Sequence, residues 1–309
     1  MKPNVLVIAG PTGSGKKKVA FMAAELFDGE IISADSRKVY RYLDIGTAKP
    51  SLGIREQIPH HLIDIIDPDE PFSAGDWVLR AADAVNGVLS SGRLPIISGG
   101  TGFYMKAFMD GLTEGITADP EVRESLKKEL SDKGPAHMYT KLKKLDFERA
   151  SELNENDSFR IMRALEIVVT TGTTFSSLRG EEKIIGGDYD YYIIGLEKQR
   201  EKLYTSINNR VDHMVSDGLF DELKAVLNRG YSRNLTALNT VGYKEWFPFL
   251  DGDMPYETCI DLVKRNTRRY AKRQMTWFRA QKNIQWANPD VPGSVETQFE
   301  VIDRWLSSL

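Results

Sequence analysis

VLVIAGPTGSGKKKVAFMAAELF, residues 5–27, decides the fold. A run of β-branched and apolar residues meets a Gly-rich turn and then a helix-period pattern, so the order is strand, loop, helix. The turn Gly10-Pro11-Thr12-Gly13-Ser14-Gly15-Lys16 fits G-x-x-x-x-G-K. Such a loop offers backbone N–H groups and the positive end of a helix to a phosphate, and its lysine adds a charge. A plain βα turn has no use for a small, polar run ending in Gly-Lys. The residue that follows is normally Ser or Thr, whose hydroxyl holds Mg²⁺. Here it is Lys17, which leaves the metal site unassigned. Most P-loops serve ATP or GTP, so nucleotide binding and a small-molecule kinase are the first reading of the loop alone.

Two further turns follow the same design. A second strand, GEIISADS, ends at Asp35-Ser36, and a third, Leu94 to Ser98, runs into Gly99-Gly100-Thr101-Gly102 before a helix at 103–109. Alternating strands and helices predict a parallel sheet covered on both faces, an α/β fold of P-loop NTPase type. Ligands of such sheets sit outside the carboxyl ends of the strands, where all three turns lie. Asp35 is there either a general base for an incoming nucleophile or a helix N-cap. Thr101 is either a turn hydroxyl or a ligand contact.

Beyond Asp119-Pro120 the composition changes. Helix formers and charges dominate to about Thr171, and strand character returns only in DYDYYIIGLE. We divide the chain into a catalytic core, residues 1–114 and 189–309, and a helical insertion, 115–188. After the strand at Tyr191 to Leu196, helical patterns continue to the end. Between Asp261 and Asp290 no acid occurs, while Lys264, Arg265, Arg268, Arg269, Lys272, Arg273, Arg279 and Lys282 crowd the interval. Val263, Tyr270, Met275, Trp277 and Phe278 are interleaved as the buried stripe of a helix. In a chain of net charge −3, that acid-free run favours contact with a polyanion over a merely solvated face.

The single cysteine, Cys259, excludes an intrachain disulfide, and there is no signal peptide or stretch long enough to span a bilayer. A cytosolic protein is expected. His60-His61 and Asp64 suggest a metal too weakly to assign one, since no other His or Cys lies nearby in sequence.

GPTGSGK, IISADSRKVYRYLDIGTAKPS, PHHLIDIIDP, SGGTGFYMKA, DPEVR, ENDSFRIMRALEI, TVGYKEW and RYAKRQMTWFR together resemble, in the same order, the motifs of bacterial tRNA dimethylallyltransferases. The resemblance runs over nearly the whole chain. It implies transfer of a dimethylallyl group from dimethylallyl diphosphate to N6 of adenine 37 of tRNA, with Mg²⁺ as cofactor and the anticodon stem-loop as partner, on a monomeric enzyme. Residues 10–17 would cradle the diphosphate, Lys16 would meet the charge of the leaving group, Asp35 would take the amine's proton and Thr101 would contact the adenosine. Asp35, Ser36, Arg37, Lys38, Thr101, Arg123, Phe159, Arg160, Ile161, Met162, Arg163, Asn239, Thr240, Val241, Gly242, Tyr243 and Lys244 would touch the tRNA, and the insertion would grip the stem-loop. No Cys/His cluster follows, so the zinc-finger extension of eukaryotic relatives is missing. Three positions depart from the pattern. Lys17 replaces the metal-binding Ser or Thr, Lys38 stands where Gln is usual, and Ser206 stands where Arg is usual, although Arg210 remains. A catalytically impaired tRNA binder is the alternative those departures raise.

Overall fold

The computed structural model describes residues 2–111, 119–177 and 189–307. Six strands form one sheet in the order β3-β2-β4-β1-β5-β6, every pair parallel. The strands are β1 (Asn4–Ala9), β2 (Gly29–Ala34), β3 (His60–His61), β4 (Leu94–Gly99), β5 (Asp190–Leu196) and β6 (Gln285–Ala287). β1 is buried along its whole length, as a near-continuous apolar strand in the middle of a parallel sheet must be. Before β5 the sheet's connections carry α1 (Lys16–Leu26), α2 (Leu52–Gln57), α3 (Ala74–Ser90) and α4 (Gly102–Asp110). The α/β expectation with a P-loop-type parallel sheet holds.

The chain separates into two compact units, Met1–Met109 with Gly187–Leu309, and Asp110–Gly186. The boundaries expected at 114/115 and 188/189 involve residues outside those described. The second unit is helical: α5 (Pro120–Leu145), α6 (Phe147–Ser151) and α7 (Ser158–Thr171). Its core joins Leu126, Met138, Leu142, Ala150, Ile161 and Leu165. Gly134 at φ 78° and Pro135 interrupt α5, dividing it into two helices across a kink. Asp146 then starts α6 by accepting from Arg149 N–H, and it also takes the hydroxyl of Ser176.

In the first unit the later helices are α8 (Arg200–Ser216), α9 (Leu219–Asn228), α10 (Phe247–Leu250), α11 (Tyr256–Arg279) and α12 (Ser294–Ser307). Two short strands correct the sequence reading. β6 interrupts what reads as helix to the end, and β3 falls in a stretch to which no strand is assigned. Each has two or three residues and no period of its own; its partner, β5 or β2, supplies the pairing. A second correction concerns α11. Its buried stripe is Cys259, Val263, Ala271, Gln274 and Phe278, while Tyr270, Met275 and Trp277 are half-buried. Arg265, Arg269, Lys272, Arg273 and Arg279 are exposed on its other sides.

Candidate active site

The three turns meet at the carboxyl edge of the sheet. Thr101 N–H donates to Ala34 O (3.1 Å), and Ser36 N–H donates to Thr101 Oγ1 (3.1 Å), so the ends of β2 and β4 are tied directly. Gly99 Cα lies against Ala34, where an added Cβ would stand 2.0 Å from a backbone oxygen. Asp35 is not a helix N-cap. Its Oδ1 accepts Arg37 N–H (3.0 Å) in a turn, and its other oxygen faces none of the described side chains within bonding distance. Thr101 is half-buried, with Ser36 as its partner; it fastens two loops and does not line the cavity between them.

Gly13 and Gly15 carry φ of 84° and 95°, the left-handed region that turns the phosphate loop into α1. No side chain caps the start of α1, so its first N–H groups are left for a ligand. A cavity of about 420 Å³ opens there. Thr12 to Lys18 without Ser14, Asp35, Lys38, Gly46, Thr47, Ser206 and Arg210 form much of its wall, and Thr240, Val241, Gly242 and Tyr243 close another side. Ser14 lies beneath the loop, fully buried, its hydroxyl without a partner.

Charge distinguishes this cavity from the rest of the molecule. Lys16, Lys17, Lys18, Arg37, Lys38 and Arg210 line it, and among the described residues none of the six forms an ion pair; Asp35 is the carboxylate in the wall. Lys16 donates instead to Pro11 O (2.7 Å) within its own loop, and Arg210 to Thr47 O (3.4 Å). Desolvation first, then repulsion from Arg210 and Lys38, brings the Lys16 ammonium down to about 7, against a smaller opposing pull from Asp35. Lys17 is likewise brought to about 7 by desolvation, then by Lys38 and Arg210. As a residue Lys17 is exposed, so solvent screens more of its share than of Lys16's. Lys38 and Arg210 are shifted down by the same burial. A neighbouring cavity of about 690 Å³, on the far side of Arg210, makes the contrast. Its buried lysine, Lys49, is neutralised by Asp44 (2.7 Å) and Asp64 (2.5 Å), and Asp64 also holds Arg55 (2.7 Å).

The IGTAKP block owes its shape to a half-buried acid. Glu222 accepts N–H bonds from Asp44, Ile45 and Gly46 (2.7, 2.7 and 3.0 Å) and the hydroxyl of Tyr243 (2.6 Å). Burial and that carboxylate hold the Tyr243 phenol well above its usual range. Tyr243 is fully buried against Gly46, where a Cβ would meet its ring at 2.4 Å. It therefore supports the cavity wall, a correction to the expectation that it touches RNA. Asn239 and Lys244 on either side are exposed. His61 is taken by Glu30 (2.6 Å) and His60 by Ile58 O (2.6 Å).

Gln274 is the residue sequence reading misses. From α11 its Oε1 accepts Thr12 N–H (2.9 Å) and its Nε2 donates to Gly100 O (2.8 Å), fastening the phosphate loop to the β4 turn. Trp277, one turn on, occupies the space a side chain at Gly102 would need. The available signal was a polar residue in register with the apolar stripe Cys259, Val263, Ala271 and Phe278.

In the helical unit, Arg123 forms a bidentate pair with Glu166 (2.8 and 3.2 Å), which also takes Arg163 (3.3 Å). Arg160 pairs with Asp157 (3.2 Å) and remains exposed. Phe159 is 84% exposed, whereas Ile161 is 0% and Met162 9%. The last two belong to the core of the unit, a correction to their place among the RNA contacts: successive helical positions point in different directions, and a sequence block does not separate them.

Fold and cavity define an α/β protein of P-loop type with a cationic cavity at the carboxyl edge of its sheet. The IPP transferase family model matches residues 38–281. A tRNA dimethylallyltransferase of Alkaliphilus oremlandii is 41% identical over 98% of this chain and 96% of its own. The crystal structure of the full-length tRNA isopentenylpyrophosphate transferase of Bacillus halodurans shares 39% identity and a TM-score of 0.71, covering 100% of this chain and 96% of that one. A eukaryotic dimethylallyltransferase acting on tRNA shares 27% identity and a TM-score of 0.85, over 99% of this chain and 80% of that one. The chain belongs to the IPP transferase family and is a prenyltransferase.

Proposed function

We propose that this chain transfers a dimethylallyl group from dimethylallyl diphosphate to N6 of adenine 37 of tRNA. The observation that carries the reading is the cationic cavity on the phosphate loop with one carboxylate in its wall. N6 attacks C1 of the dimethylallyl group while the C1–O bond breaks, and the electron pair leaves on the diphosphate oxygen. Lys16, Lys17, Lys38, Arg210 and the α1 N–H groups meet that growing charge. Asp35 Oδ2 accepts the N6 proton, which an exocyclic amine must lose to end as a neutral secondary amine. Oδ1 is held by Arg37 N–H, fixing the carboxylate's direction.

The target base leaves the anticodon stack to enter such a cavity, at a cost of about a few kcal/mol that the cavity wall returns. Recognition of a splayed loop fits what the helical unit offers in the exposed ring of Phe159 beside Arg160, with Arg123 and Arg163 held in place by Glu166. The exposed basic side of α11 adds charge for the RNA backbone.

The residues at the loop do not fit the Mg²⁺ that the resemblance implies. Mg²⁺ takes oxygen ligands; position 17 offers an ammonium, Asp35 is the carboxylate in the wall, and Lys16, Lys17, Lys18, Arg37, Lys38 and Arg210 share that wall with it. Among the described residues no cluster of three His, Cys, Asp or Glu side chains forms elsewhere. No step is routed through a metal here.

Label from radiolabelled dimethylallyl diphosphate tests the reading on an anticodon stem-loop containing A36-A37. Label in the RNA, lost when A37 is replaced by G, is expected. RNA binding without label would leave the impaired tRNA binder, the alternative that the departure at Lys17 raises. Phosphate transfer from ATP without RNA would indicate a kinase.

A further inference from the structure

The position where a P-loop ordinarily presents a metal-binding hydroxyl carries Lys17. It does not stand alone. Lys38 comes from the turn after β2 and Arg210 from α8, and with Lys16 they reach one cavity from three separate elements. Elsewhere in this unit Lys49 is matched by Asp44 and Asp64, Arg55 by Asp64 and Lys198 by Asp290. Holding these like charges together with Asp35 as the carboxylate among them costs stability. That cost is recovered only when an anion of similar charge fills the space.

We propose that Lys17, Lys38 and Arg210, with Lys16, take over the metal's task, so that this chain binds its diphosphate without a divalent cation. The identity of the anion as a diphosphate rests on the proposed transfer reaction. Lys18 and Arg37 stand in the same wall, so cations far outnumber its one carboxylate, Asp35, and the cavity suits a multiply charged anion such as a diphosphate. An added Mg²⁺ would be drawn by the diphosphate but repelled by the wall, whereas an ammonium at position 17 delivers charge already fixed to the protein. Burial, then the neighbouring cations, lowers the proton affinity of the two loop lysines, and a bound diphosphate restores their protons.

Calorimetric titration of the full chain with inorganic pyrophosphate, in EDTA and in MgCl₂, tests this. Wild type is expected to bind in EDTA within about threefold of its affinity in Mg²⁺. Lys17→Thr restores the motif's hydroxyl and is expected to lose about tenfold or more in EDTA and to recover most of that with Mg²⁺. Lys38→Gln is expected to weaken EDTA binding in the same direction. A wild type that loses tenfold or more in EDTA overturns the proposal. So does a folded Lys17→Thr that binds in EDTA as tightly as wild type, its folding checked by an unchanged melting curve. Because pyrophosphate binding needs neither RNA nor a prenyl group, the two readings fail separately. Metal-free binding with no label in RNA removes the transfer reaction and keeps this site, and label in RNA with binding only in Mg²⁺ does the reverse.

Discussion

At Asp35 the roles of base and structural turn are divided between two oxygens. Oδ1 receives Arg37 N–H and Oδ2 remains for chemistry, so Asp35→Asn keeps the turn's acceptor and removes the base. Single-turnover transfer is expected to fall by about 10²–10⁴-fold, while pyrophosphate binds at least as well because a negative charge has left a cationic wall. Weakened pyrophosphate binding instead would give Asp35 a structural task. The lysines make a second prediction at this scale. Burial first, and then repulsion from Arg210 and Lys38 against a smaller pull from Asp35, brings their ammonium groups down to about 7. Below that value they are already charged and binding takes up no proton. As pH rises from 7 toward the ordinary lysine value, the anion must restore the lost protons and its affinity falls. Calorimetry in buffers of different ionisation enthalpy, near about pH 8 and about pH 6, should show proton uptake mainly at the higher pH. The ligand's own titration is common to both proteins, so a smaller uptake in Lys17→Thr isolates the lysine.

At the scale of elements, α11 holds the site together. Gln274 satisfies one donor of the phosphate loop and one acceptor of the β4 turn, and deleting it leaves both without that partner in the cavity wall. Gln274→Ala is expected to cost about 1–3 kcal/mol, read as a lower melting temperature, together with a raised KM for dimethylallyl diphosphate. An unchanged KM would confine Gln274 to packing. In α7 two nearby positions separate stability from recognition. Ile161→Ala is expected to destabilise by about 2–5 kcal/mol, whereas Phe159→Ala leaves the melting curve in place and weakens RNA binding by about 1–3 kcal/mol if a base stacks there. The strands carrying the three turns were legible because each ends an apolar run at a Gly- or Asp-containing turn. β3 and β6 were not, since their pairing is dictated by neighbours far away in the chain. The same holds for Gln274, whose role exists only once α11 crosses two loops more than 170 residues distant.

For the whole molecule, a net charge of −3 coexists with an acid-free interval whose arginines and lysines stand exposed along α11. Binding of the anticodon stem-loop is therefore expected to weaken steeply with salt, and Arg269→Ala with Arg273→Ala to reduce the log–log slope by about one unit for each phosphate that is no longer neutralised. A slope unchanged in the double variant would put the RNA elsewhere. The sequence reading located this charge from composition alone, and it located the phosphate loop from a motif. It could not show that Lys16, Lys17, Lys38 and Arg210 share one cavity, because their meeting depends on strand order.

The bonds from Gln274 to Thr12 and Gly100 also have a consequence during synthesis. The phosphate loop leaves the ribosome among the earliest residues, yet the side chain that fixes its Thr12 N–H arrives about nine-tenths of the way along the chain. A nascent chain therefore carries its loop for most of translation without the clamp that shapes it. The clamped form of the loop arises late, close to the moment the last strand can join the sheet.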